Sequence, residues 1–442
     1  MTYRDIGFEE WAAESRNNIA KRIVDGEVFL LRGALQHFGL YQLWHDATIR
    51  GITKSVGKEA AERAEKDGFH RIHEWVAAGD IPRMTDAVFK EVEPTAQTFL
   101  DTFMFGAFPG ISSFYYERTP NVRFHIPYDI AQEHKKSFNE FAKDHGSGKI
   151  VAHGPHRDSW LHCPSNGMNL WFAMGRIRPG NGLTVYSGDY EGDYIHQLSG
   201  DIADGQKLHK TDTFDMMPGD VVIFHTDHVH GSELNRLDET RFAISCRLSI
   251  ERPEFPLLHF HDYVHSTWNR SQLLRPVASV PAKMQASYVS SLAARARNKL
   301  LPALAPKEPE APTPEVIGTR NGDVIEVALA DLPVGEIRGV SNAICVARLS
   351  DDHIVALTRR CPHAGGDIAN GWVDGDNVVC PWHNLPFSTK TGASNCKSLA
   401  KLRMLKCKID GDTLFVNVKE VINAVDAQDL DAVTDAMAAQ NV

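Results

Sequence analysis

The chain has 442 residues, of which 43% are hydrophobic and 24% charged, and its net charge is −10. A chain of this length is too long to fold around one typical hydrophobic core, so two or three domains are expected. A dispersed negative charge argues against nucleic acid as a partner, because proteins that bind it usually present a basic face. The sequence has no run of about 18 apolar residues. Its first eight residues are polar and charged rather than an apolar leader, so we expect a cytoplasmic protein without a membrane segment.

Cysteine usage agrees with a reducing compartment. The seven cysteines are odd in number and scattered, unlike the framework of a disulfide-rich secreted domain. Two of them stand close to histidines at the spacing of metal ligands. We therefore expect thiolates that are free to bind metal.

The first hundred residues are predicted to be mainly helical. Apolar side chains over residues 88–103 recur three or four positions apart, which indicates one buried helix face. The apolar run 28–31 follows a turn and is typical of a strand. Over residues 114–250, short apolar runs separated by Gly, Pro, Asn and Asp predict an antiparallel β sandwich or barrel. A loose helix over 282–299 is expected to close this region.

The best domain boundary is the segment 301–315, in which five prolines predict an extended, semi-rigid linker. Short strands are predicted again over 316–420, and residues 421–442 are expected to form a terminal helix or tail. The predicted organisation is therefore a first domain over 1–300, with a helical N-terminal part and a β part, followed by the linker and a small β domain.

Two short motifs in the small domain have the composition of a metal site. Residues Cys361 and His363 belong to a Cys-Pro-His sequence, and Cys380 and His383 to Cys-Pro-Trp-His. A set of two cysteines and two histidines binds either zinc or a 2Fe–2S cluster in which two histidines replace two cysteines on one iron. Zinc sites more often pair Cys with Cys in one loop, whereas each loop here supplies one ligand of each type. The pattern favours the cluster.

This segment resembles the Rieske family. The flanking residues that agree with that family are Gly365, Gly366, Gly371, Asp376, Phe387, Thr391 and Gly392. The resemblance implies a small antiparallel β domain with a 2Fe–2S cluster held by Cys361, His363, Cys380 and His383. Rieske domains of the respiratory complexes carry an extra disulfide-forming cysteine in each loop, where this chain has Gly366 and Trp382, so it resembles the ferredoxin and oxygenase branch. That branch implies a potential of roughly −150 mV and cluster histidines that are partly exposed as the electron exit.

A second candidate metal site precedes the linker. His156 and Asp158 stand two residues apart, so on a strand they would project from the same side. A distant histidine from the sequence His-Thr-Asp-His-Val-His, which contains His225, His228 and His230, would complete a 2-His-1-carboxylate triad. Such a triad leaves open positions on iron for a co-substrate and oxygen. Strand periodicity alone cannot separate the last two of these histidines.

The residues around the second half of this site resemble the phytanoyl-CoA dioxygenase family of iron- and 2-oxoglutarate-dependent oxygenases. The matching pattern is Pro218–Gly219–Asp220, the sequence His230–Gly231–Ser232, Asn235 and Arg241. The resemblance implies a double-stranded β-helix (jelly-roll or cupin) fold, so the chain as a whole is predicted to be mainly β with flanking helices. It also implies that His156, Asp158 and His230 bind Fe(II), and that Arg241 holds the far carboxylate of 2-oxoglutarate with its bidentate fork.

Further polar residues surround this region. Arg123, His125, Tyr128 and Asp129 are interpreted either as lining the substrate or co-substrate pocket or as a hydrogen-bonded edge strand. Arg247 shares a strand face with Arg241, and we interpret it as a surface charge in preference to a second anion contact.

The combined prediction is a non-haem iron, 2-oxoglutarate-dependent dioxygenase that oxidises a C–H bond of a small molecule with O2. Because 2-oxoglutarate supplies the electrons of that reaction, the Rieske domain is expected to maintain or assist the iron centre. Two alternatives stay open: a Rieske-type oxygenase driven by reductase electrons, and a non-catalytic Rieske electron-transfer protein with a small-molecule binding module. Two possible partners also stay open. One is a flavin or ferredoxin reductase, and the other is a second copy of the chain in a homo-oligomer.

Overall fold

The structure is a computed structural model that describes residues 3–14, 16–139, 152–161, 163–197, 200–209, 211–255, 263–268 and 315–421. The predicted helix over 282–299, the linker over 301–314 and the tail from 422 lie outside these residues.

Helices dominate the described residues before residue 108, as predicted. The α-helices are α1 (Phe8–Ala13), α2 (Arg16–Val24), α3 (Ala34–His37), α4 (Leu40–Ser55), α5 (Lys58–Asp67), α6 (Ile81–Val92), α7 (Ala96–Ala107) and α8 (Tyr128–Glu133). No helix in the described ranges is both long enough and apolar enough to cross a membrane.

The predicted helix face over residues 88–103 is divided between two helices. A 3-10 turn, Glu93–Thr95, separates α6 from α7. Pro94 has no N–H to continue the α-helical hydrogen bonds, and its ring clashes with the preceding turn, so the helix breaks there. The apolar side chains on both sides of the break remain buried in one cluster.

Two sheets form the first β domain. Its strands are β1 (Arg4–Gly7), β2 (Phe29–Arg32), β3 (Ser113–Glu117), β4 (Asn121–His125), β5 (Met168–Ala173), β6 (Leu183–Val185), β7 (Asp212–Thr213), β8 (Val221–His225), β9 (His230–Ser232), β10 (Arg241–Ser249) and β11 (Tyr263–Thr267). The large sheet has the order β1-β2-β8-β5-β10-β3-β11, and β4 also pairs with β10; the small sheet has the order β7-β6-β9.

Because successive side chains of a strand point to opposite faces, one face of the large sheet packs against the helices and the other against the small sheet. On β5, Leu170 and Phe172 pack with the helices, whereas Trp171 points between the two sheets, where it joins Leu183 and Val185 of the small sheet. The molecule is therefore mainly β with flanking helices, and its first domain is a jelly roll, as predicted. The inward face of the large sheet is the surface on which the candidate site is built.

The small C-terminal domain is antiparallel β, again as predicted. Its strands are β12 (Thr319–Asn321), β13 (Val324–Ala328), β14 (Ile337–Gly339), β15 (Ile344–Arg348), β16 (Ile354–Thr358), β17 (Trp372–Asp374), β18 (Asn377–Cys380), β19 (Leu385–Ser388), β20 (Met404–Asp410) and β21 (Thr413–Val421). They form a seven-stranded sheet, β12-β13-β21-β20-β16-β15-β14, and a three-stranded sheet, β17-β18-β19. The Cys361 motif follows β16, and the Cys380 motif connects β18 to β19.

Candidate metal centres

One group of side chains in the described part of the chain brings three metal-binding atoms within 4.8 Å of one another. It consists of His156, Asp158 and His230, all buried. His156 pairs with His230 of β9 through an antiparallel bridge whose two N–H···O bonds measure 3.0 and 2.9 Å. The prediction that His156 and Asp158 share one strand is wrong. Asp158 begins a 3-10 turn, because its N–H bonds to the carbonyl of Thr226 instead of continuing the ladder.

Backbone carbonyls orient both imidazoles of this group. His156 Nδ1 donates to Gly154 O at 2.8 Å, and His230 Nδ1 donates to His228 O at 2.9 Å. A proton held on Nδ1 leaves Nε2 with a free lone pair. The Nε2 atoms of His156 and His230 lie 3.8 and 3.7 Å from the carboxylate oxygens of Asp158. Burial and the neighbouring His156 lower the pKa of His230 to about 4, so its ring is neutral near neutral pH, as metal binding requires.

The carboxylate of the group is held by charged and polar neighbours. Arg247 donates from Nε and Nη2 to the two oxygens of Asp158, both at 3.0 Å, and Asn169 donates at 2.7 Å. Burial alone would raise the pKa of Asp158, but the charge of Arg247 and the nearby histidines hold it well below its usual range. The interpretation of Arg247 as a surface charge is therefore wrong: it is inside the jelly roll, and its third contact is Glu117 at 3.0 Å.

The two rival histidines have other contacts. His228 Nε2 donates to the carbonyl of Gly26 at 3.0 Å, and His225 Nδ1 lies 3.1 Å from the hydroxyl of Tyr190. Neither belongs to the group that converges with His156. The geometry therefore favours His230 as the distal member.

Arg241 is a buried cation that makes no direct ion pair with the described residues. Its Nη1 donates to Gly182 O and to Ser232 Oγ, both at 3.2 Å, and its Nη2 lies 3.0 Å from His125 Nε2. Its Nε has no hydrogen-bond partner in the part of the chain that the structure describes. No carboxylate in the described residues lies within 4.0 Å of its guanidinium, and burial together with the charge of Arg123 lowers its pKa to about 9. The charge of the buried Glu233 opposes this lowering of the pKa only in part. A buried cation without a directly bonded anion is costly, so this environment suits an anionic ligand.

A second cation lies on the same inward face. Strand pairing places His125 opposite Arg241 and Arg123 opposite Ala243, so the side chains of all four residues share one side of the sheet. Burial and the charge of Arg247 lower the pKa of Arg123. Arg123 and His125 thus lie on the inward face of β4, a strand that pairs with β10, and their lining of a substrate or co-substrate pocket stays a prediction.

The four residues of the C-terminal motifs also lie together. The Nδ1 atoms of His363 and His383 are 3.3 Å apart, close to the separation of about 3.4 Å expected for two nitrogens on one tetrahedral iron or zinc ion. The thiols of Cys361 and Cys380 contact each other. However, no three of these four residues converge within 4.8 Å in the way that a single zinc ion requires. The arrangement fits a binuclear cluster with sulfur ligands at one end and nitrogen ligands at the other.

The two positions that distinguish the Rieske branches are in contact. A Cβ atom at Gly366 would lie 2.9 Å from Cγ of Trp382 and 3.1 Å from Sγ of Cys380. The Trp382 ring thus occupies the space where the respiratory branch is expected to have its disulfide, and a glycine is needed opposite it.

Some of the predicted surroundings differ from the structure. His363 is half-buried and its ring contacts Tyr128, whereas His383 is only 3% exposed. The expectation that both cluster histidines are partly exposed is therefore wrong for His383, because the jelly roll covers it. Asp129 lies on α8 rather than on an edge strand, and it accepts hydrogen bonds from the backbone of Lys397 and Ser398 in the C-terminal domain.

The fold and the two donor sets define a redox protein that combines a mononuclear 2-His-1-carboxylate site with a two-Cys, two-His site. Family models agree with this class. Residues 120–243 match the model for phytanoyl-CoA dioxygenase (PhyH), and residues 323–407 match the model for the Rieske [2Fe-2S] domain. The chain therefore joins a phytanoyl-CoA dioxygenase-type domain to a Rieske domain, which confirms both resemblances and supports iron and a 2Fe–2S cluster as cofactors.

Relatives share only parts of this chain. Cholesterol 7-desaturase nvd of Hemicentrotus pulcherrimus is 36% identical over 76 residues, which are 16% of either protein. The ferredoxin component of the naphthalene 1,2-dioxygenase system of Pseudomonas aeruginosa is 24% identical over 96 residues, 21% of this chain and 91% of the ferredoxin. A solved structure described as the non-heme monooxygenase ThoJ, apo, aligns over 59% of this chain and 89% of its own, at 14% identity and a TM-score of 0.32.

Proposed function

We propose that the protein is a non-haem iron dioxygenase that uses 2-oxoglutarate and O2 to hydroxylate, or otherwise oxidise, a C–H bond of a small molecule. The observation that carries the proposal is Arg241, a buried guanidinium with a free Nε and no carboxylate partner in the described residues. It projects from the face of β10 that also presents Arg247 to the metal group. 2-Oxoglutarate offers one carboxylate for such a cation and, at its other end, a keto-acid that chelates iron.

In this proposal His156, Asp158 and His230 hold Fe(II), and Arg241 binds the far carboxylate of 2-oxoglutarate. When bound there, iron supplies the oxidation of an unactivated C–H bond, coupled to decarboxylation of 2-oxoglutarate to succinate. The chain supplies the remaining conditions. Arg247 fixes the carboxylate of Asp158 in one orientation, backbone carbonyls fix both imidazoles, and the burial of the group excludes bulk water.

The C-terminal domain has its own set of proposed ligands. Cys361 and Cys380 would hold one iron of the 2Fe–2S cluster, and His363 and His383 the other. Its proposed role is to supply electrons that maintain or assist the mononuclear iron, with a flavin or ferredoxin reductase as the external donor. The proposal places the boundary between the two domains in the proline-rich segment 301–315.

A second candidate function is favoured by one observation. The cluster histidine His383 is covered by the jelly roll that carries the mononuclear group, so reductase electrons delivered through the cluster could drive the oxygenation directly. This alternative predicts oxidation without 2-oxoglutarate. The non-catalytic alternative predicts no iron in the jelly roll.

The experiment that separates these functions is binding and turnover of 2-oxoglutarate. Anaerobic calorimetry on iron-loaded protein should show binding of 2-oxoglutarate by the wild type and its loss in Arg241→Met, with partial recovery in Arg241→Lys. Arg178→Met is a matched control, since it removes a more exposed arginine whose partner is Glu239. Oxygen-dependent release of succinate by the wild type is expected. Equal 2-oxoglutarate binding by Arg241→Met, or no succinate release, would contradict the proposal.

A further inference from the structure

The two candidate metal sites are linked by one short segment of backbone. In Rieske geometry Nδ1 of His383 faces the cluster, and its other nitrogen, Nε2, donates to the carbonyl of Ala152 at 3.3 Å. In the mononuclear group the ring of His156 donates from Nδ1 to the carbonyl of Gly154 at 2.8 Å. The nitrogens that face away from the two metals are thus hydrogen-bonded to carbonyls two residues apart.

This connection is short in space as well as in sequence. Two residues of extended chain span at most about 7 Å. The residue between them, His153, packs its ring against that of His156 at a centroid distance of 5.8 Å, and its carbonyl accepts the N–H of Ser232 at 2.9 Å. The segment is therefore fixed to β9, the strand that carries the other histidine of the mononuclear group.

Contacts between the domains hold the cluster loop in this position. Asn384, directly after His383, has φ of 51°, a left-handed conformation that asparagine tolerates better than most residues. Its side-chain amide donates to Thr184 Oγ at 3.2 Å and to Thr211 Oγ at 2.9 Å, and its carbonyl accepts from Arg236 at 2.8 Å. All three partners belong to the jelly roll.

Further contacts surround this loop. The hydroxyl of Tyr186 donates to the carbonyl of Pro381, the N–H of Leu234 lies 3.4 Å from the carbonyl of His383, and Arg360 pairs with Asp204 at 2.7 Å. Leu234 also joins the apolar cluster of the C-terminal domain. The cluster end of this domain is thus seated on the jelly roll of its own chain.

We propose that the segment from Ala152 to His156 conducts single electrons from the Rieske cluster to the mononuclear iron within one chain, and that Asn384 is the positioning residue that keeps the two sites coupled. One electron leaves the reduced cluster, and Fe(III) in the mononuclear site becomes Fe(II). The oxidised cluster then takes one electron from a one-electron donor of the flavoprotein or ferredoxin class. The inference rests on the two iron centres of the proposed function, but not on its use of 2-oxoglutarate.

The first test asks whether the electron stays within one chain. Full-length protein with an oxidised cluster and Fe(III) in the mononuclear site is mixed with dithionite, and electron paramagnetic resonance of rapidly frozen samples follows the loss of the high-spin Fe(III) signal. Cys361→Ser, which lacks the cluster, gives the rate of direct reduction by dithionite. A third sample contains Cys361→Ser and His156→Ala chains that are expressed together. The first variant retains only the mononuclear site and the second only the cluster, so in a mixed oligomer an electron must pass between chains.

We expect fast loss of the Fe(III) signal in the wild type, at a rate independent of protein concentration, and no faster loss in the co-expressed pair than in Cys361→Ser alone. Wild-type speed in the pair would show transfer between chains and overturn the inference. It would also be overturned by a wild-type rate no faster than that of Cys361→Ser. Absence of iron from the mononuclear site at the start would instead refute the proposed function, and metal analysis reports this separately.

The second test retains both metal sites. Asn384→Gly keeps the left-handed backbone without strain but removes the amide that bonds to the two threonines. We expect an unchanged cluster spectrum and a rate of Fe(III) reduction lower by about tenfold, the change in a docking equilibrium that loss of two hydrogen bonds gives. Asn377→Ala, at the first residue of β18, is the control and should keep the wild-type rate. An unchanged rate in Asn384→Gly would rule out its positioning role.

Discussion

Arg247 and Asp158 form a bidentate ion pair inside the jelly roll, with both N–H···O distances at 3.0 Å. Asp158 is also a member of the mononuclear metal group, so the cation and a bound metal would share one carboxylate. The pair therefore links folding of the metal-free chain to metal binding.

Arg247→Met should destabilise the metal-free protein more than the iron-loaded protein. Removing one partner of a buried ion pair typically costs about 3–5 kcal/mol, because an uncompensated charge remains. Bound Fe(II) would offset part of that cost at Asp158, although not at Glu117. Thermal melts with and without iron should show a larger iron-induced increase in Tm for Arg247→Met than for the wild type. Arg178→Met, with a more exposed pair, should behave like the wild type, and an equal iron-induced increase in both would contradict the prediction.

Substitution of the proposed ligands should change the metal content selectively. Intact protein purified without oxygen is expected to contain about three irons and two labile sulfides per chain, two of the irons belonging to the cluster. His156→Ala or Asp158→Asn should reduce the iron to about two while leaving the sulfide unchanged. His225→Ala should keep all of the iron, because its ring does not converge on the group. Loss of the mononuclear iron in that variant would make His225 a better candidate than His230 for the distal iron ligand.

Acid should destabilise the metal-free protein partly through His228. Burial, with the charge of His225 in addition, lowers the pKa of His228 to about 3, below the value of about 6.5 expected in the unfolded chain. The unfolded state therefore binds the extra proton first, and stability is lost as pH falls below about 6.5, by roughly 1.4 kcal/mol per pH unit for this residue. Denaturant titrations between pH 6.5 and 4.5 should show a shallower loss for His228→Gln. An unchanged slope would exclude a contribution from this histidine.

Loss of the cluster should shorten the working life of the mononuclear iron. Under the maintenance role, Cys361→Ser would complete fewer turnovers before inactivation, because Fe(III) formed in uncoupled cycles would not be reduced. Ascorbate should restore the wild-type number of turnovers, counted as succinate per iron. A variant that matches the wild type without any reductant would remove the maintenance role.

The sequence predicts which candidate ligands lie together more readily than it predicts their surroundings. Each Rieske loop places a cysteine and a histidine within four residues, so local spacing is sufficient to predict all four as candidate ligands. The candidate triad is predictable because His230 stands in a recognisable pattern with Gly231, Ser232 and Arg241. A local pattern of this kind involves residues that are close in the chain, so it can be recognised without knowledge of the fold.

The contacts that required three-dimensional structure join residues far apart in the chain. Asp158 and Arg247 are separated by 89 positions, and Asn384 and Thr184 by 200. The sequence around an arginine on a strand does not indicate which carboxylate the arginine faces, so the sequence alone predicts an exposed Arg247. The burial of His383 could not be predicted from local sequence either, because it depends on how the two domains pack.

That burial has a consequence for biogenesis. In the folded chain His383 is 3% exposed, and Cys361 and Cys380 are exposed by 4% and 0%. A cluster delivered by another protein must reach these side chains from outside. If these side chains hold a 2Fe–2S cluster, we expect it to be loaded before the small domain docks on the jelly roll, because His383 is covered in the docked arrangement.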